Sequence, residues 1–295
     1  MEKSKKKIRN KKFKTLKCSP NQDKKKLGDL KGISCYSKKN ILEMKAIWNK
    51  KNTNKITTNN PVEIWNFLKN NLSDKCYNEL CWLNDQTFNS KIDKNKIMKK
   101  IFRPFSPESW KNKPYEWLSS IDILKVMNQY QNKYSNFIFI GPSPIDFDNK
   151  SLMGTCVWDK LCKFNLNKYI KHKSKIGIIF NLDPHYKDGS HWVALFIDIK
   201  KKFLFYFDSN GDKIPKEIKI FADRIIEQGN ELNTNLKLMT NEDMEHQKKD
   251  GQCGMYTLYF IIELLKESKT PEYFKTHRIT DEEMKKYRKK YFNSN

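Results

Sequence analysis

A buried helix with a cysteine at its start constrains this chain more than any other feature. Thr257-Leu-Tyr-Phe-Ile-Ile-Glu-Leu-Leu-Lys is apolar, too short to cross a membrane and long enough for a core helix. The polar, turn-prone run Gln247-Lys-Lys-Asp-Gly-Gln leads into it and ends at Cys253-Gly254. Cys253 is therefore expected at or near a helix N-terminus. The unpaired N–H groups there favour an anion, and the thiolate is the nucleophilic form of a cysteine. Gly254 carries no side chain beside the sulfur, which would let a substrate backbone approach.

A helix apolar on all sides needs a sheet or other helices to cover it. Two candidate strands stand upstream. One runs from Gly189-Ser190-His191-Trp192 to Asp198, the other from Phe203 to Phe207, closed by the turn Asp208-Ser209-Asn210-Gly211. Paired as a hairpin, they bring His191 and Asp208 to one edge of the sheet. A thiol, a base and a carboxylate that orients the base are what a cysteine nucleophile requires. Lys175–Leu182 reads as a further buried strand, Leu236–Met239 as another and Phe137–Phe147 as a strand and loop. Helices are expected at 157–170, 215–228, 254–266 and about 280–292.

The order His191-Trp192, Asp208, Gln247, Cys253-Gly254 resembles the clan of ubiquitin-like-protein proteases. These are the cysteine proteases that include the SUMO-deconjugating and adenovirus enzymes. The polyprotein-processing protease of African swine fever virus and similar enzymes of large DNA viruses look closest. The likeness extends through Tyr206-Phe207-Asp208-Ser209, His246-Gln247 and the tail Arg278-Ile-Thr-Asp-Glu-Glu-Met284, over about residues 110–295. It implies an α+β core with a central mixed sheet flanked by helices. It also implies Cys253 as nucleophile, His191 as base, Asp208 as its partner and Gln247, six positions before Cys253, as oxyanion donor. Gln252 is the rival for that last role. Trp192 would roof a channel admitting only Gly-Gly, with Trp117 as the second wall. Trp82-Leu-Asn-Asp shares letters with a substrate-clamping tryptophan of the clan. The swine fever virus enzyme has Asn where this chain has Asp208, which at that position brings the chain nearer the SUMO proteases.

The implied function is a cysteine endopeptidase that cuts after Gly-Gly, processing viral core precursors during virion maturation. The alternatives are a SUMO or ubiquitin-like-protein deconjugase, or a non-catalytic nucleic-acid-binding scaffold on the same fold. An expected location is the virion and host cytoplasm, without secretion. The oligomeric state stays open.

Charge bears on the scaffold alternative. The net charge is +24, but arginine stands only at 9, 103, 224, 278 and 288, which gives little means of bidentate reading of guanine. Loose backbone attraction remains open to residues 1–26, whose net charge is +10. Residues 1–40 are expected as a basic disordered arm, 41–105 as a small helical domain and 106–295 as the protease core. Within the helical domain, Asn60-Pro61 supplies a cap and a first-turn proline. The seven cysteines show no regular framework and nothing resembling a secretory signal opens the chain, so free thiols in a reducing compartment are expected. Neither Cys76/Cys81 nor Cys156/Cys162 has zinc-site spacing, and no cofactor or metal is expected.

Overall fold

Strands without a polar face must be covered on both sides, and this governs the C-terminal unit. The computed structural model describes residues 13–22, 27–89 and 92–294. The chain divides into two units, Met1–Arg103 and Pro104–Asn295. The second contains a five-stranded sheet in sequential order: β1 (Phe137–Pro144), β2 (Lys175–Asn181), β3 (Trp192–Asp198), β4 (Phe203–Phe207) and β5 (Lys237–Thr240). The central pairs β2/β3 and β3/β4 are antiparallel and the outer pairs β1/β2 and β4/β5 parallel, so the sheet is mixed.

Alternation along β3 sends Ala194 and Phe196 to one face and Val193, Leu195 and Ile197 to the other. The first face packs with Cys253–Leu265, the expected apolar helix, in which every residue is buried. Helices Ser120–Lys133 and Asp281–Tyr291 complete that layer. The second face is covered by Lys216–Glu231 through Ile218, Phe221 and Ile225. The result is an α+β core with helices on both faces of a mixed sheet.

Two local expectations change. The single helix expected over 157–170 is two one-turn helices, Asp159–Cys162 and Asn167–Ile170. Leu161, Phe164 and Leu166 all turn into the core, a set that one straight helix cannot present together. A further short helix, Pro271–Thr276, is capped by Thr270.

The N-terminal unit contains the helices Lys38–Lys51, Pro61–Leu72, Glu79–Trp82 and Lys94–Ile101. Asn60 caps the second through the Val62 and Glu63 N–H groups. Residues 13–22 and 27–40, expected in the disordered arm, are structured. Phe13 packs on Trp65 and Trp82, and Cys18 bonds to Cys35. Charge pattern conceals this, because one aromatic and one cross-link hold a segment whose lysines stay outside. Residues 1–12, most of the basic run, lie outside the described residues. Glu79, wholly buried, anchors the unit. It accepts hydrogen bonds from Ser34 Oγ, from Cys35 N at 3.2 Å and from Trp65 Nε1 at 2.6 Å. Trp82 lies in the same core and lines no cleft, so its likeness to a clamping tryptophan has no counterpart here.

The free-thiol expectation is corrected. Cys18–Cys35, Cys76–Cys81 and Cys156–Cys162 are disulfides, and Cys253 is the free cysteine. The Cα atoms within each pair lie 5.1–6.2 Å apart, inside the range a disulfide spans. Spacing alone could not show this, because the closest pairs match no familiar disulfide or metal pattern.

Candidate active site

Two strand ends and one helix start converge at an edge of the sheet. The β3/β4 register pairs Ala194 with Phe207. His191 therefore stands just before β3 and Asp208 just after β4, at the same edge. His191 Nε2 lies 2.7 Å from Asp208 Oδ1, and the Cys253 thiol is near enough to act on the same imidazole. With Nε2 engaged by the carboxylate, Nδ1 is the nitrogen left for the thiol. The site is enclosed, with Cys253 2% exposed and the His191 side chain 14%.

Burial by itself pulls the His191 imidazole toward neutrality. The hydrogen bond to Asp208 and the proximity of Asp208 and Cys253 outweigh it, and the imidazole is pushed up to about 10. His191 is thus a cation across the neutral range.

Asp208 is itself fixed. Its N–H donates to Asn241 Oδ1 at 2.9 Å, Asn241 Nδ2 donates to its carbonyl at 2.6 Å, and its Oδ1 also accepts from Asn210 N at 2.8 Å. Asn241 stands 33 residues away, and no sequence signal marked it. Ser209 is the other unmarked contributor. Its carbonyl accepts from the His246 and Gln247 N–H groups, and its hydroxyl donates to Gln247 Oε1 at 3.0 Å. With Oε1 occupied, the Gln247 amide presents its NH2 as the unengaged end among the described residues.

Gln252, the rival amide, is engaged at both ends. Its Nε2 donates to the Asp281 carbonyl at 3.1 Å and its Oε1 accepts from Arg288 at 3.3 Å. The tail motif has a positional purpose. Asp281 accepts from Lys248 N and from the Tyr256 hydroxyl. His246 joins the same framework, accepting from Ile279 N at 3.1 Å through Nδ1 and donating to the Phe274 carbonyl at 3.0 Å through Nε2. That pattern requires a neutral ring, and burial lowers it to about 4.

The tryptophans share a cleft of about 1170 Å³ with Leu118, Leu124, Pro142 and Trp158. Trp117 is 42% exposed there, while Trp192 is 7% exposed and donates through Nε1 to the Leu118 carbonyl at 2.9 Å. Neither Cys253 nor His191 lines this cleft. Two of its lining residues, Leu118 and Trp192, also crowd Gly254. A Cβ there would stand 3.0 Å from Leu118 Cβ and 3.2 Å from Trp192 Cδ1. Gly254 thus makes room for the tryptophan wall, where open space for substrate was expected.

Among the described residues no cluster of His, Cys, Asp and Glu could hold a metal ion, and no helix is long and apolar enough to cross a membrane.

Residues 98–295 match the profile of the Ulp1 protease family, C-terminal catalytic domain. A thiol protease of Acanthamoeba polyphaga mimivirus is 31% identical over 261 residues, covering 80% of this chain and 82% of that protein. A SUMO-1 cysteine protease of African swine fever virus is 27% identical over 180 residues, covering 58% of this chain and 66% of that protein. A crystal structure of an African swine fever virus protease superposes with a TM-score of 0.65 at 22% identity, over 83% of this chain and 94% of that one, a likeness of fold.

Proposed function

The chain belongs to the Ulp1 protease family and is a cysteine protease, and from that premise we propose that it cuts precursor proteins after Gly-Gly, with Cys253 as nucleophile. The observation that carries the assignment is the 2.7 Å bond of His191 to Asp208, with Cys253 near enough to raise the same imidazole. Cys253 Sγ attacks the scissile carbonyl carbon and the carbonyl oxygen takes up the displaced electron pair. The Cys253 N–H and the Gln247 NH2 donate to that oxyanion; deleting one such donor typically costs roughly 10²–10³ in turnover. As the intermediate collapses, the C–N bond breaks and His191 gives its proton to the departing amine. The neutral imidazole then takes a proton from water, whose oxygen attacks the thioester and releases the acid and the sulfur. Asp208 holds the ring and stabilises its charged form throughout.

The Gly-Gly preference rests on the cleft walls. Trp192 packs beside Gly254 and Trp117 beside Gly251, the glycines flanking Cys253 in the chain, and a substrate glycine has no Cβ to meet an indole. The precursor reading rests on the viral relatives. The name of the swine fever virus relative favours a second reading, removal of a ubiquitin-like protein. Three disulfides favour an oxidising setting such as an extracellular particle over the host cytosol.

The test offers the purified full chain a SUMO–Gly-Gly fusion, Gly-Gly-X sites in an unfolded linker, and the same linker with Ala-Ala. Cutting confined to Gly-Gly linkers is the expected result. Cutting of the fusion alone leaves the deconjugase, and equal cutting of Ala-Ala removes the specificity argument.

A further inference from the structure

A guanidinium lies buried behind the turn that delivers Cys253. Arg288, 4% exposed on helix Asp281–Tyr291, donates from Nη2 to the Gly251 carbonyl at 2.7 Å and from Nε to Gln252 Oε1 at 3.3 Å. Its third nitrogen, Nη1, is buried without a hydrogen-bond partner. Its plane sits 4.4 Å over the Trp110 ring, and no carboxylate among the described residues comes within ion-pair distance. Burying a cation so incompletely paired is costly, and an apolar side chain of similar volume would avoid the cost. Packing alone therefore gives no reason for arginine here.

The position gives one. Gly251 has φ +88°, and a Cβ there would stand 2.1 Å from the Tyr115 carbonyl, so the turn admits only glycine. Gln252 is the residue before the helix and caps nothing with its side chain. That side chain is tied between Arg288 and the Asp281 carbonyl. The Gln252 carbonyl accepts from Met255 and Tyr256 N–H. The peptide joining Gln252 to Cys253 is thus held at its carbonyl by the helix and at its residue by the arginine clamp. Its N–H is a first-turn donor without a place in the helix ladder.

We propose that Arg288 is a positioning residue for the reaction, clamping the Gly251–Gln252 turn so that the Cys253 N–H faces the developing oxyanion. This rests on the protease reading of the site and adds the device that aims one of its two oxyanion donors. The planar fork of arginine, bonding two adjacent acceptors at once, is what lysine cannot copy.

Arg288→Lys and Arg288→Gln should lower kcat on a Gly-Gly linker peptide by about 10–100-fold, a share of the ~10²–10³ lost when such a donor is deleted. KM should stay within about twofold. Alkylation of Cys253 by iodoacetamide, which uses the thiol and needs no oxyanion, should proceed at the wild-type rate. Unchanged kcat in both variants overturns the proposal. So does alkylation that slows in step with kcat, since the arginine would then act on the thiol. Where melting shows either variant unfolded, Gln252→Ala removes one of the two bonds between Arg288 and the turn and should give the same split with a smaller loss of kcat. Wild-type protein that leaves Gly-Gly peptides uncut tells against the specificity reading alone. Hydrolysis of unfolded casein then supplies kcat for the same comparison.

Discussion

Asp208 Oδ1 meets His191 at Nε2, 2.7 Å away, and the carboxylate therefore leaves Nδ1 as the imidazole nitrogen for the sulfur. The imidazole can carry a proton between thiol and leaving group without releasing Asp208. Replacing Asp208 with Asn keeps a hydrogen-bond partner and removes the charge. His191 is raised from its ordinary value to about 10. Its charged form thus stabilises the fold fully below about 6.5, and that contribution is lost as pH rises through about 10. In Asp208→Asn the alkaline limb of kcat/KM and the alkaline loss of melting temperature should both move to lower pH. Activity at pH 8 should fall about 10²-fold, within the range of general acid–base catalysis. A pH profile superposable on the wild type would refute the role of the carboxylate.

Cys253→Ala and His191→Ala should each abolish cleavage while the protein stays folded. Neither change opens a large cavity, and the sheet beneath is untouched. Circular dichroism and a peptide assay on the same samples separate the two effects. Measurable turnover in Cys253→Ala would exclude it as nucleophile.

The cysteine pairing predicts a thiol count. Protein denatured without reductant should expose one titratable thiol, and after reduction seven, since three disulfides leave Cys253 alone free. Mass spectrometry of alkylated peptides locates it. Seven thiols before reduction, in protein purified without reductant, would restore the free-thiol reading.

His246 gives the opposite pH sense. Its folded value is lowered to about 4 by burial, so its contribution is present above about 6.5 and is lost as pH falls toward 4. Charging it forces a proton onto Nδ1, which accepts from Ile279 N. Melting temperature should therefore drop between pH 6.5 and 4, and His246→Gln should flatten that slope. An equally steep slope in the variant would place the acid sensitivity elsewhere.

Truncation should distinguish the two parts of the basic arm. Deleting residues 1–12 should leave melting unchanged. Deleting 1–40 removes Phe13, Cys35 and the Ser34 bond to Glu79, leaving the buried carboxylate with Trp65 alone of its three side-chain and backbone donors, and should unfold the N-terminal unit. Indifference to the longer deletion would show that these contacts do not hold that unit.

The local pattern of the chain already determined which elements would form and where the chemistry would concentrate. Apolar runs bounded by turn residues marked all five strands, and Cys253 could be placed at a helix start because side-chain periodicity and turn chemistry are local properties. His191, Asp208 and Gln247 were legible because each stands at the end of such an element or in the loop before the helix. Three things needed the folded chain. Ser209 and Asn241 orient Gln247 and Asp208 through bonds whose partners are brought together only by the sheet, and Gln252 could be told from Gln247 only by where its amide points. The disulfides depend on Cα separations that charge and spacing do not encode. The arginine behind Cys253 lies 35 positions downstream, and only the packing of the last helix against the Gly251 turn brings its guanidinium to that carbonyl.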